Sequence, residues 1–115
     1  MSGGMTEIRD IPPFEIEVTR DDGTVTVSPA GELDIATVPR LADALAAAER
    51  PYTRLVLDLR GLSFIDSSGL RLVLMEVERA RGEGHDVAVI PGDERVQRIF
   101  RLTGADRIVP FATAG

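Results

Sequence analysis

The segment Asp66-Ser67-Ser68-Gly69 combines residue types that could carry regulatory chemistry. Asp66 and Ser67 are residues that commonly cap helices, so a helix is predicted to begin here. A helix N-terminus leaves backbone N–H groups unpaired and carries partial positive charge. Those groups would stabilise a phosphate attached to a hydroxyl at this position. Ser67 is therefore a candidate phosphorylation site, and the plainer interpretation of the segment is a helix cap followed by a tight turn.

Two further aspartates, Asp34 and Asp93, also lie between an expected strand and an expected helix. Turns that follow parallel strands lie along one edge of a sheet, where ligand and partner sites usually form. We therefore expect Asp34, the Asp66-Ser67 turn and Asp93 to lie near one another. Three carboxylates could instead serve a small phosphohydrolase or a carboxylate–metal enzyme. The absence of Lys and Cys weighs against that alternative, as does the position of the single histidine, His85, in a turn expected to be exposed.

Hydrophobic periodicity indicates the elements that would position these residues. The short apolar run Leu55–Leu59 is typical of a strand covered on both faces, and Asp58 within it is interpreted as a strand-end residue with a satisfied hydrogen bond. After Ser67, apolar residues recur at helical spacing. They are Leu70, Val73, Leu74, Val77 and Ala80, and the interleaved Glu76, Glu78, Arg79 and Arg81 are interpreted as a solvated helix face.

The remaining segments complete one α/β domain over residues 14–115, with residues 1–13 expected to form a flexible arm. Alternating patterns predict an antiparallel pair of strands joined by a turn at Asp21-Asp22-Gly23. The other predicted elements are a helix from Pro39 to about Arg50-Pro51, a strand over 86–90, a helix carrying Val96, Ile99 and Phe100 and ending at Gly104, and a last short strand over 107–111. The predicted order is β-β-α-β-α-β-α-β, in a mixed sheet of four to five strands.

Composition narrows the functional classes. The 115 residues are 43% hydrophobic, which is enough for a single core, and the formal net charge is -6. An acidic protein is a poor match for nucleic acid or for an anionic membrane surface. No apolar run is long enough to span a bilayer, and the start of the chain has no signal-peptide pattern. We therefore expect a soluble cytoplasmic protein.

Three segments in this order resemble the STAS family, the sulfate transporter and anti-sigma factor antagonist domains. They are Leu62-Ser63-Phe64-Ile65-Asp66-Ser67-Ser68-Gly69-Leu70, Gly31-Glu32-Leu33-Asp34, and Arg98-Ile99-Phe100-Arg101-Leu102-Thr103-Gly104. The resemblance spans roughly residues 14–109, which is most of the chain.

The resemblance implies a bacterial anti-sigma factor antagonist rather than an enzyme. In such proteins the unphosphorylated form binds an anti-sigma factor, which is also a serine kinase, and so frees the sigma factor. The kinase phosphorylates the serine directly after the motif's aspartate, here Ser67, the phosphorylated form dissociates, and a phosphatase resets it. The expected partner-binding residues are Asp34, Asp66, Ser67, Ser68, Gly69 and Asp93. No catalytic residue, metal or cofactor is expected, because the ATP belongs to the kinase.

An alternative within the family is a non-switching scaffold subunit of a stress-sensing or lipid-transport assembly, which would dock through the same edge. The sequence also departs from the family pattern in two places. Arg71 stands where a small residue is common, and the family's usual C-terminal helix after Phe111 is either missing or truncated.

Overall fold

The computed structural model describes residues 13–48 and 51–112. The predicted N-terminal arm lies outside the described residues, apart from Pro13. The strands are β1 (Glu15–Asp21), β2 (Thr24–Leu33), β3 (Arg54–Asp58), β4 (Leu62–Ile65) and β5 (Asp86–Ile90). The helices are α1 (Val38–Ala47), α2 (Ser67–Gly82) and α3 (Glu94–Thr103), followed by a 3₁₀ turn at Ala105–Arg107.

The sheet is mixed, with strand order β1-β2-β3-β5. β1 and β2 are antiparallel, and the later strands run parallel to β2, as expected for strands joined through helices. The predicted hairpin turn is confirmed: Asp22 and Gly23 both have positive φ, 48° and 85°, as a tight primed turn requires.

β2 is long enough to pair with two successive strands. Its first half pairs with β3, and its end pairs in parallel with β4, where Leu33 lies opposite Ile65. The register shifts between Gly31 and Glu32. Gly31 has a φ of +115°, and a Cβ there would lie 2.4 Å from the backbone oxygen of Pro13, so this position requires glycine. The bend turns the end of β2 towards β4 and so sets the position of Asp34.

One apolar core joins the sheet to the helices. Alternate residues of β2 and β3 are almost fully buried and cluster with apolar residues of α1 and α2. The members with no exposed surface are Val25, Val27, Leu33, Leu41, Leu59, Val73, Ala80, Val89, Val96 and Phe100. Among the described residues, no helix is both long and apolar enough to cross a lipid bilayer.

The predicted fold class is confirmed, but two segments differ in detail. The Leu62–Ile65 segment, predicted only as a link to the helix, is a strand of its own. The strand predicted over 107–111 is largely absent, because Arg107 belongs to a 3₁₀ turn and only Phe111 bridges Val89. Helix α1 ends at Ala47; its predicted end near Arg50-Pro51 falls partly on residues outside the described ranges.

The prediction that Glu76 and Arg79 belong to a solvated helix face is wrong. Glu76 is only 7% exposed, and both of its carboxylate oxygens accept hydrogen bonds from Arg79. Arg79 also donates to the buried Tyr52 hydroxyl at 3.0 Å. The Glu76 carboxylate raises the pKa of Arg79 further above its ordinary value. His85 is likewise half-buried rather than exposed, because its ring packs on Tyr52 with the ring centroids 4.3 Å apart. Because Glu76, Arg79 and Tyr52 are hydrogen-bonded to one another, their polar groups can lie against the apolar core.

Candidate functional site

Asp66 caps helix α2, as the sequence predicted. Its backbone is extended, and its Oδ1 accepts hydrogen bonds from the backbone N–H groups of Ser68 at 2.9 Å and Gly69 at 3.1 Å. The next donor, the N–H of Leu70, reaches the Asp66 carbonyl oxygen at 3.0 Å. Three of the first four N–H groups of α2 are therefore already hydrogen-bonded. The expectation that free N–H groups at this terminus would receive a phosphate is wrong for these three donors.

Gly69 seats the helix on the sheet. A Cβ at this position would lie 2.7 Å from Cγ1 of Ile65 and 2.9 Å from Cγ of Leu33, which is closer than carbon atoms approach in proteins. Gly69 is buried, so it offers no surface of its own to a partner. Its contribution to the predicted binding surface is therefore indirect: it lets α2 start directly against the ends of β2 and β4.

Asp34 shapes the turn between β2 and α1. Its Oδ1 accepts hydrogen bonds from the N–H groups of Ala36 at 3.0 Å and Thr37 at 3.2 Å, and its carbonyl oxygen accepts from Val38 at 2.8 Å. The Thr37 hydroxyl adds a bond to the carbonyl oxygen of Glu32 at 2.7 Å. Asp34 is half-buried and thus both holds its own loop and leaves part of its side chain at the surface.

The turns that contain Asp34 and Ser67 are neighbours. The backbone N–H of Asp66 donates to the carbonyl oxygen of Leu33 at 3.1 Å, so the residues just before Asp34 and Ser67 are joined by a hydrogen bond. This confirms the expected approach of these two turns. The topology that produces it is the parallel pairing of β2 with β4.

Asp93 lies at the same end of the sheet but across β3 from β2, because β5 pairs with β3. Its Oδ1 caps α3 through the N–H groups of Arg95 and Val96, and its Oδ2 pairs with the Arg95 side chain at 3.2 Å. The Val96 N–H and the Arg95 guanidinium hold the pKa of Asp93 below its ordinary value. The recorded bonds of Asp93 thus stay within its own helix and do not reach the Asp34 and Ser67 turns.

Ser67 is the first residue of α2 and is exposed, whereas Ser68 is half-buried. Within the described part of the chain, the Ser67 hydroxyl has no hydrogen-bond partner. A hydroxyl in this position is open to an approaching macromolecule and can be modified without breaking a bond inside the protein.

Two exposed apolar side chains border this surface, and neither was predicted to belong to the site. Ile35, next to Asp34, is 77% exposed, and Phe64 on β4 is 46% exposed. Phe64 is the register partner of Glu32, two residues before Asp34. The one signal in the sequence that points to Ile35 is its position, since it is a large apolar residue in a short turn. Exposed apolar side chains grouped around polar ones are typical of protein-binding surfaces.

The charged groups of the site do not form a metal centre. Among residues 13–48 and 51–112, no set of three or more His, Asp or Glu side chains is arranged to hold a metal ion. The carboxylates of Asp34, Asp66 and Asp93 are instead engaged as caps of three different turns. These aspartates stabilise the turns through hydrogen bonds, and the Ser67 hydroxyl is exposed at the start of α2.

Comparison with known proteins identifies the family. A family model described as "Mlab, STAS domain" matches residues 16–110. The anti-sigma-B factor antagonist of Staphylococcus aureus (strain NCTC 8325 / PS 47) is 31% identical over 92 residues, which cover 79% of this chain and 85% of that protein. The solved structure of an anti-sigma factor antagonist from Mycobacterium paratuberculosis aligns with a TM-score of 0.79 at 31% identity, covering 89% of this chain and 87% of the other. The anti-sigma factor antagonist SpoIIAA, solved in its unphosphorylated form, aligns with a TM-score of 0.68 at 26% identity, covering 88% and 89%.

The chain therefore belongs to the STAS domain family, and the three relatives named above, each covered over 85–89% of its length, are anti-sigma factor antagonists.

Proposed function

We propose that this protein is an anti-sigma factor antagonist whose binding is switched by phosphorylation of Ser67. The unphosphorylated form binds an anti-sigma factor that is also a serine kinase, and this binding frees the sigma factor. The observation that carries the proposal is the exposed hydroxyl of Ser67 at the start of α2, next to the Asp34 turn; this hydroxyl bonds to no other group among residues 13–48 and 51–112. Relatives named as anti-sigma factor antagonists support the general class.

In the proposed reaction the partner kinase transfers the terminal phosphoryl group of its ATP to Oγ of Ser67. The hydroxyl proton leaves to a base of the kinase, and ADP is released. The exposed position of Ser67 suits this transfer, because the hydroxyl can enter another protein's active site without unfolding α2. A phosphatase that hydrolyses the phosphoserine would return the binding form.

The proposed partner surface combines an apolar part with an acidic part. Ile35 and Phe64 supply exposed apolar area, and the sequence-predicted residues supply polar groups and shape. These are Asp34, Asp66, Ser67 and Ser68 at the centre, with Gly69 acting through the seating of α2 and Asp93 at the margin. Since Asp34 and Asp66 put carboxylates beside Ser67, a partner with basic residues opposite them is favoured.

Phosphorylation would act on this surface through charge. A phosphate adds about -1.5 to -2 charges at neutral pH. A partner surface shaped around a small neutral hydroxyl, with its basic residues already paired with Asp34 and Asp66, would then have to desolvate that extra charge or clash with it, at a cost of several kcal/mol. A loss of about 3 kcal/mol would weaken binding by more than a hundredfold.

The test measures the dissociation constant of four forms against the partner kinase by titration calorimetry: unmodified, Ser67→Ala, Ser67→Asp and phosphorylated. We expect the Ala form to bind like the unmodified protein, the Asp form to lose part of the affinity, and the phosphorylated form to lose most of it. Peptide mapping after reaction with kinase and ATP should place the phosphate on Ser67 rather than Ser68. Equal binding of phosphorylated and unmodified protein would instead favour the non-switching scaffold.

The contribution of Asp34 is tested with two variants, because its carboxylate also holds the loop. Asp34→Asn removes the charge and keeps an oxygen to accept the Ala36 and Thr37 N–H groups, whereas Asp34→Ala removes both. We expect both variants to bind the partner more weakly, with only the Ala variant losing about 1 kcal/mol of fold stability. If Asp34→Asn binds with full affinity, the carboxylate is a loop cap and not a contact.

A further inference from the structure

The phosphate of the proposed switch would find little compensating charge at the helix terminus itself. Asp66 already occupies the N–H groups of Ser68 and Gly69, and its own carboxylate adds negative charge beside Ser67. The neighbouring Asp34 turn adds another carboxylate. A cation from elsewhere in the protein would therefore stabilise a phosphoserine at position 67.

Arg71 is placed to supply that cation. It lies four residues after Ser67 in α2, and residues at this spacing share one face of a helix with Cβ atoms about 5–6 Å apart. Both residues are exposed. An acidic group four residues before a basic one is also the more favourable order along a helix.

Arg71 is also available for pairing. Its neighbours at helical spacing are Ser67 and Ser68 on one side and Leu74 and Met75 on the other, and none of these is acidic. Among the described residues, its side chain has no recorded hydrogen-bond or ion-pair partner, whereas Arg60, Arg79, Arg95 and Arg101 are each paired with a carboxylate.

We propose that Arg71 is a phosphate-pairing residue that binds the phosphoserine formed at Ser67 and stabilises it as the dianion. This inference rests on the proposed function for its biological use. The guanidinium fork matches phosphate oxygens and can donate two hydrogen bonds to them. Phosphorylation would thus draw the Arg71 side chain back towards the first turn of α2. The phosphate would then be held against its own helix.

The experiment installs phosphoserine at position 67 during translation, so that no kinase is needed. The second pKa of the phosphate, about 6 for phosphoserine, is then measured by ³¹P NMR titration at low ionic strength. The charged groups near the phosphate in this titration are Asp34, Asp66 and Arg71. Arg71→Gln is compared with Arg81→Gln, because Arg81 is a matched exposed arginine of α2 that lies about 21 Å along the helix from Ser67 at 1.5 Å per residue.

We expect Arg71→Gln to raise the second pKa of the phosphate by about 0.3 to 1 unit, because the dianion loses its counter-charge. Arg71→Lys should restore part of the shift, and Arg81→Gln should leave the pKa where it is in the unsubstituted phosphoprotein. Equal pKa values for Arg71→Gln and Arg81→Gln would overturn the assignment of Arg71. Failure of the proposed function would appear separately, as unchanged partner binding after phosphorylation.

Discussion

The seating of α2 on the sheet is tested most directly by the same substitution at two positions of that helix. Gly69 and Gly82 both lie in α2, and neither has positive φ. Alanine is favoured over glycine within a helix by about 0.8–1 kcal/mol, so propensity alone predicts stabilisation at both sites. The surroundings differ, since a Cβ at Gly82 would meet nothing within 4 Å.

At Gly69 the added methyl group would meet side chains that cannot easily move. It would lie 2.7 Å from Ile65 and 2.9–3.0 Å from Leu33, which is 0% exposed. Overpacking of a core typically costs about 1–3 kcal/mol. After subtraction of the gain in propensity, we expect Gly69→Ala to destabilise the fold by up to about 2 kcal/mol. Gly82→Ala is expected to stabilise it by up to about 1 kcal/mol, with less effect because Gly82 is the last helical residue.

Urea unfolding followed by circular dichroism measures both effects. The difference between the two variants should be about 2 kcal/mol, with opposite signs relative to the unsubstituted protein. Titration of the partner against Gly69→Ala should also show weaker binding, because the shifted helix start carries Ser67. If both variants are stabilised equally, α2 does not press on Leu33 and Ile65, and the account of how Ser67 is positioned fails.

Three further predictions concern groups around the site and the core. Asp66→Ala should lose about 1 kcal/mol of unfolding free energy through its two cap bonds, while Asp66→Asn retains most of it; equal stability of both would mean that another group caps α2. Tyr52→Phe should cost about 1 kcal/mol in urea unfolding, because the half-buried Arg79 guanidinium loses an acceptor, and no loss would indicate that water replaces it. The Arg60 side chain lowers the pKa of Asp58 below its ordinary value of 3.8. The ionised carboxylate therefore stabilises the fold fully above the pKa of the unfolded state, and this stabilisation is lost as the pH falls through the lower pKa of the folded state. The stability advantage of the unsubstituted protein over Asp58→Asn should therefore be constant near neutral pH and shrink below about pH 4; a gap that is independent of pH down to about 2 would contradict this.

Much of the fold could be predicted from local sequence patterns, because tertiary contacts do not override them in these segments. Asp66 as a helix cap and the Asp22-Gly23 turn were readable from residue type and position. The strand β4 was not, because its four residues carry no clean alternation and form a strand only by pairing with the end of β2. The buried state of Glu76 was also hidden, because it depends on Arg79 and on Tyr52, which is distant in sequence.

Part of the site could also be predicted from the sequence. The approach of the Asp34 and Ser67 turns follows from parallel strand order, which hydrophobic patterns and helical connections indicate. The structure was needed to show that the Asp66 carboxylate takes the N–H groups of both Ser68 and Gly69, because residue type predicts a cap but not which donors it occupies. Ile35 and Phe64 were missed because exposure of an apolar residue depends on which elements cover it.

The hydrogen bonds that stabilise the two turns indicate what a phosphate on Ser67 would change. The Asp34 loop and the first turn of α2 are each held by aspartate-to-backbone bonds, and the Leu33 carbonyl joins the two turns. Because Ser67 contributes no side-chain bond to this bracing among the described residues, modification of its hydroxyl removes no internal interaction. The effect of a phosphate would then fall on surface charge and on Arg71, the exposed cation one turn away, rather than on the backbone. Phosphorylation would then alter the affinity for a partner without a change of fold. The part of the phosphate charge that Arg71 neutralises would determine how much the partner affinities of the phosphorylated and unphosphorylated forms differ.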